Sequence, residues 1–104
     1  MSGLKSRRKG SGFEREVVDR FTEHGLEAKR VPLSGAMSGY PGDVTVEGWL
    51  LECKRRKAGF KTLYAYLDKV NAAVVRDDHC PPLVVMPLSK FALLLKAVKE
   101  SGIG

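Results

Sequence analysis

The sequence predicts a single α/β domain, a mixed central sheet flanked by helices in the order α-β-β-β-α-β-α. Three observations predict it. Apolar stripes at helical spacing lie near both ends, over Phe13, Val17, Val18 and Phe21 and over Phe91, Leu94, Leu95 and Val98. Between them, Val44-Thr45-Val46 and Trp49-Leu50-Leu51 are β-branched, aromatic or apolar runs separated by Glu47-Gly48, which reads as a hairpin. Finally, 104 residues with 43% hydrophobic and 29% charged side chains fit one modest core and exclude a disordered chain.

Residues 1–10 are polar and basic and are expected to form a loose N-terminal arm, with the domain spanning 11–104. The first helix is predicted from Ser11, a plausible N-cap, to His24, with Gly25 as its stop. Glu14 falls within the apolar arc of this helix, Arg15, Asp19 and Glu23 point away, and Glu16 lies off it. A carboxylate on a buried face is costly unless paired. Glu14 is therefore either a rim residue whose head escapes to water or an acid aimed at a site. Leu26 to Leu33 reads as a strand weakened by Pro32, and the Ser- and Gly-rich segment from Ser34 to Gly42 as a flexible loop. That loop is either an ordinary connection or a segment that contacts substrate.

After the hairpin, Arg55 to Lys61 is a basic turn containing Gly59. Leu63, Leu67, Val70 and Val74 predict a helix from Thr62 to Arg76, on which Tyr64 and Tyr66 either pack or stack on bases. Leu83 to Met86 is a short buried strand closed by Pro87. Ser89 is expected to cap a last helix through Lys99, with Gly102 beyond its end and a stripe that is either core, the preferred reading, or interface. Cys53 and Cys80 are too few for a disulfide framework and read as reduced thiols in or near the core. With no apolar stretch of membrane length and no recognisable signal peptide, the chain is expected in the cytoplasm.

A net charge of +6 and a pI near 9.6 point to a polyanionic partner. The cations are clustered: Arg7-Arg8-Lys9, Lys29-Arg30, and Arg55-Arg56-Lys57 with Lys61 beyond. Within this basic field the hairpin sets an acidic pair. A turn centred on Glu47-Gly48 pairs 46 with 49, 45 with 50, 44 with 51, and so Asp43 with Glu52, with Cβ atoms roughly 5 Å apart. Strand alternation puts Lys54 on the same face. Opposed carboxylates repel unless a cation lies between them, and an acidic pair with a nearby lysine suits Mg²⁺ and a water directed at a phosphodiester.

Pro41-Gly42-Asp43 followed by Glu52-Cys53-Lys54 resembles the PD-(D/E)XK nuclease signature, with Gly42 as a departure from its written form. Arg8-Lys9-Gly10-Ser11-Gly12-Phe13-Glu14-Arg15-Glu16, ahead of an amphipathic helix and a strand ending in Arg30, resembles the opening of the archaeal-type Holliday junction resolvases within that superfamily. The likeness runs from about Arg8 through Lys57. Beyond it the agreement is mainly in element order. The resemblance implies a restriction-endonuclease-like core and a homodimer that resolves four-way DNA junctions with Mg²⁺, or Mn²⁺ as a substitute. It implies catalytic positions at Glu14, Asp43, Glu52 and Lys54, with Asp43, Glu52, Glu14 and the Cys53 backbone carbonyl toward the metal. Arg7, Arg8, Lys9, Arg15, Arg30, Ser34, Arg55, Arg56, Lys57 and Lys61 are the expected DNA contacts. The alternatives are a nuclease of the same superfamily acting on flap, nicked or duplex DNA, and a non-catalytic basic DNA-binding module.

Overall fold

The computed structural model describes residues 2–32 and 43–102, with side chains from Gly12 onward. Its elements are α1 (Ser2–Glu23), β1 (Ala28–Arg30), β2 (Val44–Val46), β3 (Trp49–Leu51), α2 (Lys61–Tyr66), β4 (Ala73–Val75), β5 (Leu83–Val85) and α3 (Leu88–Ser101). Ser34 and the rest of the Ser- and Gly-rich loop lie outside the described residues, as do the side chains of Arg7, Arg8 and Lys9.

Helix α1 starts at Ser2, so the expected arm is helical and Ser11 is interior to the helix, not its cap. Leu4, Lys5, Arg7, Arg8 and Lys9 are good helix formers, and each residue added to an existing helix gains a hydrogen bond for little further entropy. The C-terminus stops where expected. Gly25 has a φ of +77°, its N–H donates to the Thr22 carbonyl, and the Leu26 N–H donates to the Phe21 carbonyl at 3.2 Å. This is a Schellman closure, and Phe21 and Leu26, both buried, supply its apolar contact.

Strand β2 is central, paired antiparallel with β1 and with β3. The β2–β3 register is 44 with 51, 45 with 50 and 46 with 49, as the hairpin reading required. Val44 and Val46 are fully buried beneath Val17 and Phe21 of α1, with Leu26, Ala92 and Leu95 completing the core. Phe91 ties three elements together: its ring meets Phe21 and Trp49 edge-on, each with centroids 6.1 Å apart.

The second half departs from the sequence reading. The helix expected to reach Arg76 ends at Tyr66, and Val74, 73% exposed, lies in a strand. Lys69 takes a φ of 63°, which a helix does not tolerate, and the β-branched Val74-Val75 pair with β5 instead. Because the connection between β4 and β5 is short, they pair antiparallel; a parallel pair needs a crossover of a dozen residues or more. The described strands thus form one three-stranded and one two-stranded antiparallel sheet, not a single mixed sheet, and the order gains a strand. Helix α3 begins after Pro87 with no side-chain cap, so Ser89 does not cap it. Its buried line is Ala92 and Leu95, with Leu88 and Phe91 alongside, whereas Leu94 and Val98 face outward. Small Ala92 lets α3 approach the core on a face the apolar stripe did not indicate. Cys80 is exposed, contrary to the core reading, while Cys53 packs against the core.

Phe21 joins the helix closure, the core and the Phe91 contact, so Phe21→Ala should lower unfolding free energy by about 3–5 kcal/mol in urea titrations. The exposed Lys29→Ala should change it by less than about 0.5 kcal/mol in the same titration.

Candidate active site

Asp43 is fixed by the backbone on both sides. Its carbonyl accepts from the Val31 N–H at 2.9 Å, and its own N–H donates to the Leu51 carbonyl at 2.8 Å. Its Oδ2 also accepts from the Cys53 N–H at 2.8 Å, across the mouth of the hairpin. The acid is therefore tied to the strand that carries Glu52, and the two carboxyls interact directly. Asp43 raises the Glu52 carboxyl above its ordinary value, first by hydrogen bonding to the neutral form and then by its negative charge. Desolvation and the Glu14 charge push the same way, and the nearby Lys54 ammonium pulls back.

Glu14 reaches this group from α1. Its side chain is only 13% exposed and its Oε1 accepts from Arg30 Nε at 3.0 Å, joining α1 to β1. Glu16, two residues on, is exposed and pairs with Arg20 on its own helix. Cys53 records the combined field. Burial first, then the charges of Asp43, Glu14 and Glu52, push its thiol up to about 11. Among the described residues no three His, Cys, Asp or Glu side chains converge closely enough to hold a metal ion. What the fold assembles is the Asp43–Glu52 pair, with Glu14 neutralised beside it by Arg30. The donor set fits a hard divalent cation: two carboxylates whose mutual repulsion such an ion would relieve.

Two grooves open at Lys54. One, about 590 Å³, is lined by Lys54, Arg55, Arg56, Lys57 and Lys61, so the expected contacts of this loop share one surface. The other, about 750 Å³, carries Glu52 and Lys54 at its rim and is walled by apolar residues including Leu63, Leu67, Met86 and Leu88. Arg15 is exposed on α1 and lines neither groove. Phe60 and Tyr64 line both. Sequence reasoning named Tyr64, with Tyr66, as an aromatic that packs or stacks on bases, and did not single out Phe60. No helix among the described residues is long and apolar enough to cross a membrane.

These features define a class: an α/β protein with an acid pair and a lysine on a hairpin beside a cationic groove. Residues 5–75 match the archaeal Holliday junction resolvase (Hjc) family, and the chain belongs to it. Members of this family are nucleases of DNA recombination and repair. No curated protein and no solved structure matches the chain.

The raised Glu52 carboxyl has a consequence for stability. A group whose folded pKa exceeds its unfolded value stabilises the fold only while protonated, and that contribution is lost as pH rises through the folded value. In chelator, Glu52→Gln should therefore melt at a higher temperature than wild type at about pH 7, with the gain vanishing at about pH 4, below the ordinary glutamate value. Differential scanning calorimetry at the two pH values checks this.

Proposed function

We propose that this chain is a Mg²⁺-dependent endonuclease that resolves four-way DNA junctions, with Mn²⁺ able to substitute. The observation that carries the reading is the direct carboxyl contact between Asp43 and Glu52, with Lys54 beside it at the head of a basic groove. Membership in the resolvase family supports the junction as substrate. We read α1 and the β1–β2–β3 sheet as a reduced restriction-endonuclease-like core, with the acids at the open end of its hairpin.

Asp43 and Glu52, with the Cys53 backbone carbonyl, would hold the ion. Once bound, the ion supplies Lewis acidity at the phosphodiester. Lys54 offers its ammonium to the charge that builds on the phosphorane-like transition state. Water oxygen bonds to phosphorus as the bond to the 3′ oxygen breaks, leaving a 5′-phosphate and a 3′-hydroxyl. Glu14, ion-paired with Arg30, keeps a third negative charge beside the pair, partly offset by the guanidinium. Arg55, Arg56, Lys57 and Lys61 grip phosphates along the groove. Resolution takes two incisions and the described residues bring together one such acid pair, so the working form is a C₂ dimer. Exposed Val74, Leu83 and Val84 on the β4–β5 sheet supply apolar surface for that contact.

The test is cleavage of four-way, flap and linear duplex DNA with Mg²⁺, Mn²⁺ or chelator. Wild type should nick opposing strands of the junction symmetrically and cut linear duplex far less. Equal cutting of linear duplex, or a monomer on the junction by light scattering, favours a general nuclease of the same superfamily. Asp43→Asn should lose cleavage by at least roughly 100-fold yet bind junctions as tightly or more tightly, one negative charge having gone from the phosphate path.

Glu14 and Glu16 separate position from charge. Glu14→Gln frees Arg30 and removes an acid beside the pair, so junction cleavage should fall at least roughly ten-fold with the fold retained. Glu16→Gln, which removes an acid from the lining of the basic groove and not from the pair, should lose no cleavage. Single-turnover rates on the same junction decide between them.

A further inference from the structure

Tyr64 is 76% exposed, yet it stands on the ridge shared by the two grooves, together with Phe13, Lys54 and Phe60. On one side of that ridge the lining carries Arg55, Arg56, Lys57 and Lys61 together with Glu16, and on the other it is mostly apolar. The two other aromatics of the ridge are already covered: Phe13 packs against the core, and the Arg56 guanidinium lies 5.2 Å above the Phe60 ring centroid. Gly59 makes room for that arrangement. Its φ is +136°, and a Cβ there would come within 3.2 Å of Arg56 Cδ. Arg56 is thus held on Phe60 with its charge turned to the groove, while the Tyr64 ring remains open.

We propose that Tyr64 is a stacking platform for an unpaired nucleobase, whose phosphates lie along the Arg55–Lys61 groove. The inference rests on the reading that this basic face takes DNA. Charge complementarity selects a polyanion, and the apolar wall beyond Tyr64 selects an occupant with a flat apolar face within reach of its phosphate. A paired duplex meets the first condition only, because its bases are stacked inside. A nucleotide released from pairing, as at a strand exchange or a flap, meets both. Tyr66 supplies the internal comparison: it lies on the same helix and is 52% exposed, but it lines neither groove.

The test is equilibrium binding of a fluorescent oligothymidine and of a linear duplex of equal length, in chelator so that nothing is cut. Tyr64→Ala should weaken oligothymidine binding by roughly five-fold or more. Duplex affinity should change by less than about two-fold, as expected for a backbone-dominated complex. Tyr66→Ala should match wild type on both, and Tyr64→Phe and Tyr64→Trp should retain the oligothymidine affinity. Unchanged oligothymidine binding by Tyr64→Ala overturns the proposal, as does an equal loss on duplex. A loss in Tyr64→Phe as large as in Tyr64→Ala, or weaker binding by Tyr64→Trp, overturns it too, since the hydroxyl or the fit, not the ring face, would then be the contact. If Tyr64→Ala fails to melt cooperatively by circular dichroism, the Phe and Trp variants decide the matter. A chain that stacks oligothymidine through Tyr64 but cuts no junction sinks the nuclease reading alone. One that cuts junctions while binding oligothymidine equally well with or without the Tyr64 ring sinks this inference alone.

Discussion

Glu47 has a φ of 49° and Gly48 a φ of 84°, so both central residues of the β2–β3 turn lie in the left-handed region. This is the type I′ geometry, whose twist matches that of the flanking strands. For a glutamate it costs roughly 1–2 kcal/mol. The cost is offset by what the glutamate reaches. Its N–H donates to the Glu27 carbonyl at 2.8 Å, and its Oε2 accepts from the Glu27 N–H at 2.6 Å and from Lys99 Nζ at 2.9 Å. Lys99 also donates to the Gly25 carbonyl at 3.1 Å, so one carboxylate joins the hairpin to the start of β1 and the end of α3. These bonds to the charged form, the Glu27 N–H first and Lys99 next, hold the Glu47 carboxyl below its ordinary value. Asparagine would suit the turn better but is too short to make the same bridge. With the turn fixed, the register follows, and with it the meeting of Asp43 and Glu52. A slip of one residue would turn Glu52 to the opposite face.

The acid pair is asymmetric for a physical reason. Asp43 accepts a backbone N–H at its carboxylate, and its hydrogen bond and charge raise the Glu52 carboxyl above its ordinary value. Glu14 adds negative potential while its contact with Arg30 keeps that addition small. The result is a small negative field at the mouth of a hairpin, inside a chain of net charge +6. Repulsion within the pair works against the fold and would be relieved by a cation placed between the two carboxyls.

The hairpin half was legible because its signals are local. A two-residue turn dictates register, and alternation then dictates which side chains share a face, so 43, 52 and 54 were found without knowledge of the core. Glu14 was legible as a face but not as a contact: helical phase turned it inward, and nothing in the spacing named Arg30 as its partner across β1. The second half misled because Leu63, Leu67, Val70 and Val74 keep helical spacing even though the chain leaves the helix after Tyr66. Periodicity registers apolar positions, and these are apolar in the strand and turn as well. The left-handed turn at Lys69 carried no glycine to announce it. The start of α1 was hidden for the opposite reason, since helix propensity without an apolar stripe leaves no pattern to read.

The division between the halves bears on how chemistry and recognition are arranged. Asp43, Glu52, Lys54 and the cationic loop all lie within the stretch that matches the resolvase family, residues 5–75. One wall of the apolar groove does not: Val85, Met86, Pro87 and Leu88 come from the end of β5 and the start of α3. These residues border the groove that Glu52 and Lys54 open into, but none of them sets the hairpin register or anchors Asp43. Leu88 packs beside the core, which fixes that wall relative to α1 and β2. The side chain of Met86, with three rotatable bonds and no branch, can adapt to an occupant at little cost. The shape of the groove is thus free to change at 85–88 while the acids stay in place, so the groove wall and the acid pair rest on separate segments of one short chain.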